Sequence, residues 1–123
     1  MFTLPPKLQR LLPLAFWAAA SFALVMALLP KPPQLPGAPG DKVQHMIAFA
    51  TLAALAALAW PRTGLIRIAL WLSLFGAAIE ILQLIPALHR DGSWLDWVAD
   101  SAAIAAVLLL FAVGRRSWAA RRF

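Results

Sequence analysis

Hydrophobic positions along the chain fall into four long, nearly uninterrupted runs separated by short polar stretches. The runs cover residues 11–29, 43–60, 65–85 and 94–113, so each contains 18 to 21 residues. At a rise of about 1.5 Å per residue, a helix of this length crosses a hydrocarbon core about 30 Å thick. Alternation of period two is absent and alanine and leucine are abundant, so the runs predict helices rather than membrane strands. The pattern predicts an all-α integral membrane bundle of four transmembrane helices.

Three connections rich in proline, glycine and polar residues separate the predicted helices. Residues 30–40 (PKPPQLPGAPG) form a proline-rich linker that excludes a helix. Residues 61–64 (PRTG) predict a tight turn, which makes the second and third helices an antiparallel hairpin. Residues 86–93 (PALHRDGS) lead into the fourth helix, where Ser93 and Asp96 match a capping box. At 123 residues the chain is interpreted as one domain, residues 1–123.

Composition agrees with a membrane location. Hydrophobic residues make up 63% of the chain, charged residues only 13%, and the mean hydropathy is +0.78. The net charge of +6 does not predict a nucleic-acid partner, because the charges lie in short clusters between apolar runs. The absence of cysteine excludes disulfides and cysteine-ligated zinc.

The distribution of lysine and arginine predicts the orientation. Eight basic residues flank the runs on one side and three on the other, so the positive-inside rule places both termini and the 61–64 turn in the cytoplasm and the 30–40 linker outside. The first run lacks an A-x-A-like cleavage site and is longer than a usual signal core, so it predicts an uncleaved span. The eight are Lys7, Arg10, Arg62, Arg67, Arg115, Arg116, Arg121 and Arg122; the three are Lys31, Lys42 and Arg90.

Polar residues concentrate at the predicted outer end of the bundle, where three helices contribute them. On each helix two of them are three or four residues apart and therefore share one face. Ionisable groups inside a membrane are costly, so we expect these side chains to turn inward and to form a binding site. The candidate residues are Asp41, Lys42, His45, Glu80, Gln83, Arg90, Asp96 and Asp100.

Several interpretations of this cluster stay open from the residues alone. It could bind a ligand, it could be a polar network that only ties helices together, or His45 and Glu80 could act as an acid–base pair or proton relay. No catalytic triad order, phosphate-binding glycine loop or dinucleotide motif is present, so no cofactor is predicted, and a membrane-embedded enzyme or transporter that uses His45 and Glu80 stays the alternative to a binding protein. His45 with Asp41, Glu80, Asp96 and Asp100 offers nitrogen and oxygen ligands of a suitable type for a metal, but no HExxH-like spacing is present and no metal site is assigned.

The same residues resemble the motifs of the VanZ-like family of membrane proteins. DKVQHMIAF (Asp41–Phe49), IEILQ (Ile79–Gln83), Arg90, and Asp96 with Asp100 follow the family's ordered pattern. That pattern is Asp-Lys-x-x-His-x-x-x-Phe, then Glu-x-x-Gln, an arginine in a loop and Asp-x-x-x-Asn. The resemblance covers residues 40–113, about 60% of the chain.

The resemblance implies that Asp41, Lys42, His45, Glu80, Gln83, Arg90 and Asp96 are the characteristic polar positions. Asp100 stands where the family usually has asparagine, which adds an acid to the site. The family's association with teicoplanin-type glycopeptide resistance implies a cell-envelope context in the bacterial inner membrane. We therefore expect membrane lipids or a lipid-linked envelope precursor as the partner.

Overall fold

The computed structural model describes residues 4–29, 41–88 and 94–122, with side-chain surroundings for residues 4–29, 43–87 and 94–116. These ranges contain four α-helices, one 3-10 turn at Pro86–Leu88 and no strand. The all-α prediction is therefore confirmed for the described part of the chain. The helices are α1 (Pro6–Leu28), α2 (Asp41–Ala59), α3 (Leu65–Gln83) and α4 (Trp94–Arg122).

Two helices extend well beyond the apolar runs that predicted them. α1 begins at Pro6 rather than at residue 11, because proline suits the first position of a helix, where no backbone N–H partner is required. α4 continues to Arg122 rather than ending at residue 113, since the alanines and arginines that follow favour helix. An apolar run marks the part of a helix suited to lipid, not the point at which the helix stops.

Three of the four helices are long and apolar enough to cross a membrane: Pro6–Leu28, Leu65–Gln83 and, within α4, Trp94–Arg116. The apolar part of α2, Val43–Ala59, is shorter. Length and composition thus support a membrane protein, and a fourth span formed by α2 stays a prediction.

Three hydrogen bonds between distant residues establish how the helices are directed. The side chain of Gln83, at the end of α3, donates to the carbonyl of Ala27, near the end of α1. The guanidinium of Arg115 on α4 donates to the carbonyl of Ala57 (3.5 Å), near the end of α2, and to that of Thr63 (3.4 Å), in the turn that follows α2. The carboxyl ends of α1 and α3 thus share one end of the bundle, called the polar end below.

The helix α2, whose apolar part is the shortest of the four, occupies the centre of the bundle. It packs against α4 and α1 and also contacts α3, while α4 packs against α3 as well. Its buried face consists mostly of small side chains, which let neighbouring backbones approach closely. The buried residues of α2 are Phe49, Leu52, Ala53, Ala56 and Ala57.

Large apolar side chains cover the outside of the bundle. Ile66 is 78% exposed, Leu110 73% and Trp71 69%. A soluble monomer rarely exposes a contiguous apolar surface of this extent, whereas a surface in contact with lipid requires one. The outward faces therefore agree with the spans identified by length.

An aromatic groove of about 570 Å³ lies between α1, α2 and α3, away from the polar end. Its walls include Phe16, Trp17 and Trp60, whose rings meet edge to face with centroids 5.1 to 6.3 Å apart. Arg67 also lines it. Here α1 and α3 are separated, whereas Gln83 joins them at the polar end.

Enlarging a buried alanine of α2 should destabilise the bundle. Ala53 is fully buried, so Ala53→Leu is expected to lower the free energy of unfolding by about 1–3 kcal/mol through overpacking. Thermal unfolding of the detergent-solubilised protein measures the change. Ala105→Leu on the exposed face of α4 is the matched control and should unfold like wild type. Equal melting temperatures for the two variants would contradict the central position of α2.

Candidate functional site

Three ionisable side chains from three different helices meet near the polar end. They are His45 of α2, Glu80 of α3 and Asp100 of α4, and one nitrogen or oxygen atom from each lies within 4.8 Å of the other two. The sequence placed these residues on separate faces of separate helices, and the fold brings those faces together. The expectation that the polar residues of three helices converge is confirmed for these three, which we call the His45–Glu80–Asp100 cluster.

The position of the cluster follows from the ends of the helices. His45 is four residues from the start of α2, Glu80 three from the end of α3 and Asp100 six from the start of α4. At about 1.5 Å per residue, these offsets correspond to depths of roughly 4–9 Å from the helix ends. The cluster thus lies one to two turns inside the bundle, close enough to the end to be reached from an aqueous surface.

Burial differs among the three side chains. Glu80 is 7% exposed and Asp100 only 2%, whereas His45 is half-buried. Burying a carboxylate away from water is costly unless charge and hydrogen bonds compensate, and all three residues take part in further polar interactions. The half-buried histidine makes its side of the cluster the more accessible one.

Gln83 lies one turn beyond Glu80 on the same helix and is 1% exposed. Its Nε2 donates a hydrogen bond of 2.8 Å to the carbonyl of Ala27. That carbonyl lies in the last turn of α1, where backbone acceptors have no partner within their own helix. Gln83 therefore caps α1 from a neighbouring helix. Its Oε1 is buried and accepts no hydrogen bond from the described residues.

A close contact between α3 and α4 supports the cluster from the side. The indole of Trp97 donates a hydrogen bond of 3.0 Å to the carbonyl of Ser73, and the hydroxyls of Ser73 and Ser101 are 3.0 Å apart. A Cβ added at Gly76 would lie 3.4 Å from the ring of Phe49 and 3.6 Å from that of Trp97. These contacts fix the register of the two helices that carry Glu80 and Asp100.

The other predicted site residues are placed only in part. Asp96 is half-buried near the start of α4, but it is not among the three donors that converge. Asp41 and Lys42 form the start of α2, and their side chains lie outside the described residues, as do Arg90 and the Ser93 part of the predicted capping box.

One feature of the site is not predictable from the residue pattern. It is the contribution of α1, which is a backbone carbonyl and therefore has no residue-type signature. The convergence of His45, Glu80 and Asp100 is the part of the site that the sequence predicts, because each lies one to two turns from a helix end on the same side of the bundle.

Comparisons of the chain with protein-family models, with curated proteins and with solved structures found no match. The resemblance to the VanZ-like family therefore stays a prediction from the motifs. Assignment of a function depends on the geometry of the site.

Removing the amide of Gln83 should weaken the attachment of α1 to α3. Gln83→Leu leaves the Ala27 carbonyl without its donor, and we expect a loss of about 0.5–2 kcal/mol, the range for buried hydrogen bonds between membrane helices. Reversible unfolding in mixed micelles measures it. Gln9→Leu is the matched control, since Gln9 makes an equivalent bond to Leu4 at an exposed position. A loss as small as that of the control would contradict the capping role.

Proposed function

We propose that this chain is a VanZ-like protein of the bacterial inner membrane that spans the bilayer four times. In this proposal, the polar end faces outward and binds the headgroup of a lipid or of a lipid-linked envelope precursor. The observation that carries the proposal is the convergence of His45, Glu80 and Asp100 inside a largely apolar bundle. Ionisable residues are retained within membrane segments mainly where they serve a pathway or a site.

The arrangement of basic residues supports the proposed orientation. Lys7 and Arg10 lie at the start of α1, Arg67 at the start of α3 and Arg115 towards the end of α4, all away from the polar end. Basic residues favour the cytoplasmic side, so the polar end is assigned to the outer side. With the apolar part of α2 counted as a short span, both termini are then cytoplasmic.

The chemistry of the polar end suits an anionic or zwitterionic headgroup. Along the chain, Lys31, Lys42 and Arg90 are the basic residues nearest to this end, and lysine and arginine are the usual partners of phosphate and carboxylate groups. Lys42 and Arg90 belong to the motif positions and are the two residues proposed to bind the headgroup. The half-buried His45 provides a side from which a headgroup reaches the cluster. This function fits the envelope context of the VanZ-like resemblance, including its link to glycopeptide resistance.

Lipid binding tests the proposal directly. We expect Lys42→Ala combined with Arg90→Ala to reduce, by about tenfold or more, the anionic lipid that remains bound after detergent purification, because charge-assisted hydrogen bonds to phosphate are lost. Native mass spectrometry of the full chain measures the bound lipid. Arg62→Ala combined with Arg67→Ala removes the same charge at the opposite end and is the control.

Two results, one from lipid binding and one from the phenotype of variants in cells, would contradict the proposal. If the Lys42 and Arg90 variant retains lipid as wild type does, the polar end is not a headgroup site. If His45→Ala and Glu80→Ala both leave an envelope phenotype of the intact gene unchanged at normal protein levels, the cluster is only a structural network.

Labelling of single cysteines tests the topology, and the chain has no native cysteine to interfere. In intact cells, a cysteine at Pro36 or at His89 is expected to react with a membrane-impermeant maleimide. A cysteine at Thr63, in the turn between α2 and α3, should react only after the membrane is permeabilised. The reverse labelling pattern would invert the proposed orientation.

A further inference from the structure

We propose that His45, Glu80 and Asp100 bind a divalent transition-metal ion, for which Zn²⁺ is the probe. This inference deepens the proposed function, because the ion would contact the headgroup, but binding of the ion itself can be tested without any lipid. The starting observation is that one donor atom from each residue lies within 4.8 Å of the others.

The geometry is within reach of coordination. Zn²⁺ binds nitrogen and carboxylate oxygen at about 2.0–2.2 Å, so donors at the corners of a tetrahedron are about 3.3 Å apart. Donors within 4.8 Å of one another therefore need to approach by at most about 1.5 Å. Rotation of the long Glu80 side chain and of the His45 ring supplies a movement of this size without a shift of the helices.

The donor types select the class of metal. Ca²⁺ and Mg²⁺ prefer oxygen ligands throughout, whereas an imidazole nitrogen with two carboxylates suits zinc and its neighbours among the transition metals. One histidine and two carboxylates contain more oxygen than the His₃ and His₂Glu sets of open zinc sites, but they supply the same number of ligands. Three protein ligands leave the fourth position of a tetrahedral site for water or for another ligand.

The charge and the burial of the two carboxylates also favour a divalent cation at this site. A divalent cation with two ionised carboxylates has no net charge, which suits a site where Asp100 is 2% exposed and Glu80 7%. The half-buried His45 leaves a short route from the polar end, about 6 Å by helical rise from the start of α2. In this arrangement the open position of the metal faces the side from which a headgroup arrives.

The experiment uses the full chain in detergent, purified without a polyhistidine tag and stripped with a chelator. After dialysis against Zn²⁺ and removal of free metal, elemental analysis is expected to find about one Zn²⁺ per chain. We expect His45→Ala, Glu80→Gln and Asp100→Asn each to weaken Zn²⁺ binding by more than about tenfold. Thr51→Ala, at an exposed position of the same helix as His45, should retain wild-type affinity.

Two measurements on the wild-type protein keep the test decisive if the variants do not fold. Zn²⁺ should raise the melting temperature in proportion to the logarithm of its concentration, and a chelator should reverse the effect. Co²⁺ bound in place of Zn²⁺ should give visible absorption of tetrahedral type, which Zn²⁺ then abolishes.

Either of two results would overturn the metal site. The first is a wild-type protein that takes up no Zn²⁺ and is not stabilised by it. That result would mean that bound protons and neighbouring side chains alone compensate the charges of the two carboxylates. The second is unchanged affinity in folded His45→Ala. Bound lipid is measured in the Lys42 and Arg90 variant, whereas Zn²⁺ uptake is measured without lipid. Failure of the metal site and failure of the headgroup site are therefore distinguishable.

Discussion

The structure depends on one constraint: polar groups in an apolar interior must find their partners within the chain. A bilayer offers no water to an exposed carbonyl or carboxylate, so each buried group requires an internal donor, acceptor or counter-charge. A helix satisfies its own backbone except for the N–H groups of its first turn and the carbonyls of its last turn. At the polar end, the side chain of Gln83 supplies what the last turn of α1 lacks. The same constraint groups His45, Glu80 and Asp100, because each is less costly beside the others than alone in lipid.

Small residues make this grouping possible. The alanines of α2 let this helix lie at the centre, in contact with all three others. The rings of Phe49 and Trp97 pack over Gly76 of α3, and the bonds between Trp97, Ser73 and Ser101 hold α3 against α4. Dispersion and close packing, rather than a difference in hydrophobicity, bring helices together where the surroundings are as apolar as the core. The polar cluster is therefore positioned by close helix packing at small residues, together with the polar contacts between α3 and α4.

Much of the helical architecture could be predicted from hydrophobic runs, because length and apolar content govern which segments form membrane helices. The convergence of His45, Glu80 and Asp100 was also predictable. His45 and Asp100 lie near the starts of α2 and α4 and Glu80 near the end of α3, and in an antiparallel arrangement these helix ends lie on the same side of the bundle. The exact ends of the helices could not be predicted, since α4 continues through a basic segment to Arg122. The hydrogen bond from Gln83 to Ala27 could not be predicted either, because a backbone acceptor has no residue-type signature and its donor is 56 positions away. The packing of α2 against α1, likewise, follows from shape rather than from hydropathy.

The bond between Gln83 and Ala27 also has a consequence for the order of assembly. During synthesis α1 is complete before α3 exists. The carbonyl of Ala27 in the last turn of α1 therefore has no access to the amide of Gln83 until α3 has been made. Until then, that carbonyl depends on another donor, such as water. The bond that joins α1 to α3 therefore forms only after Gln83 has been synthesised. Completion of the polar end is thus a late step, in which one amide joins α1 to the rest of the bundle.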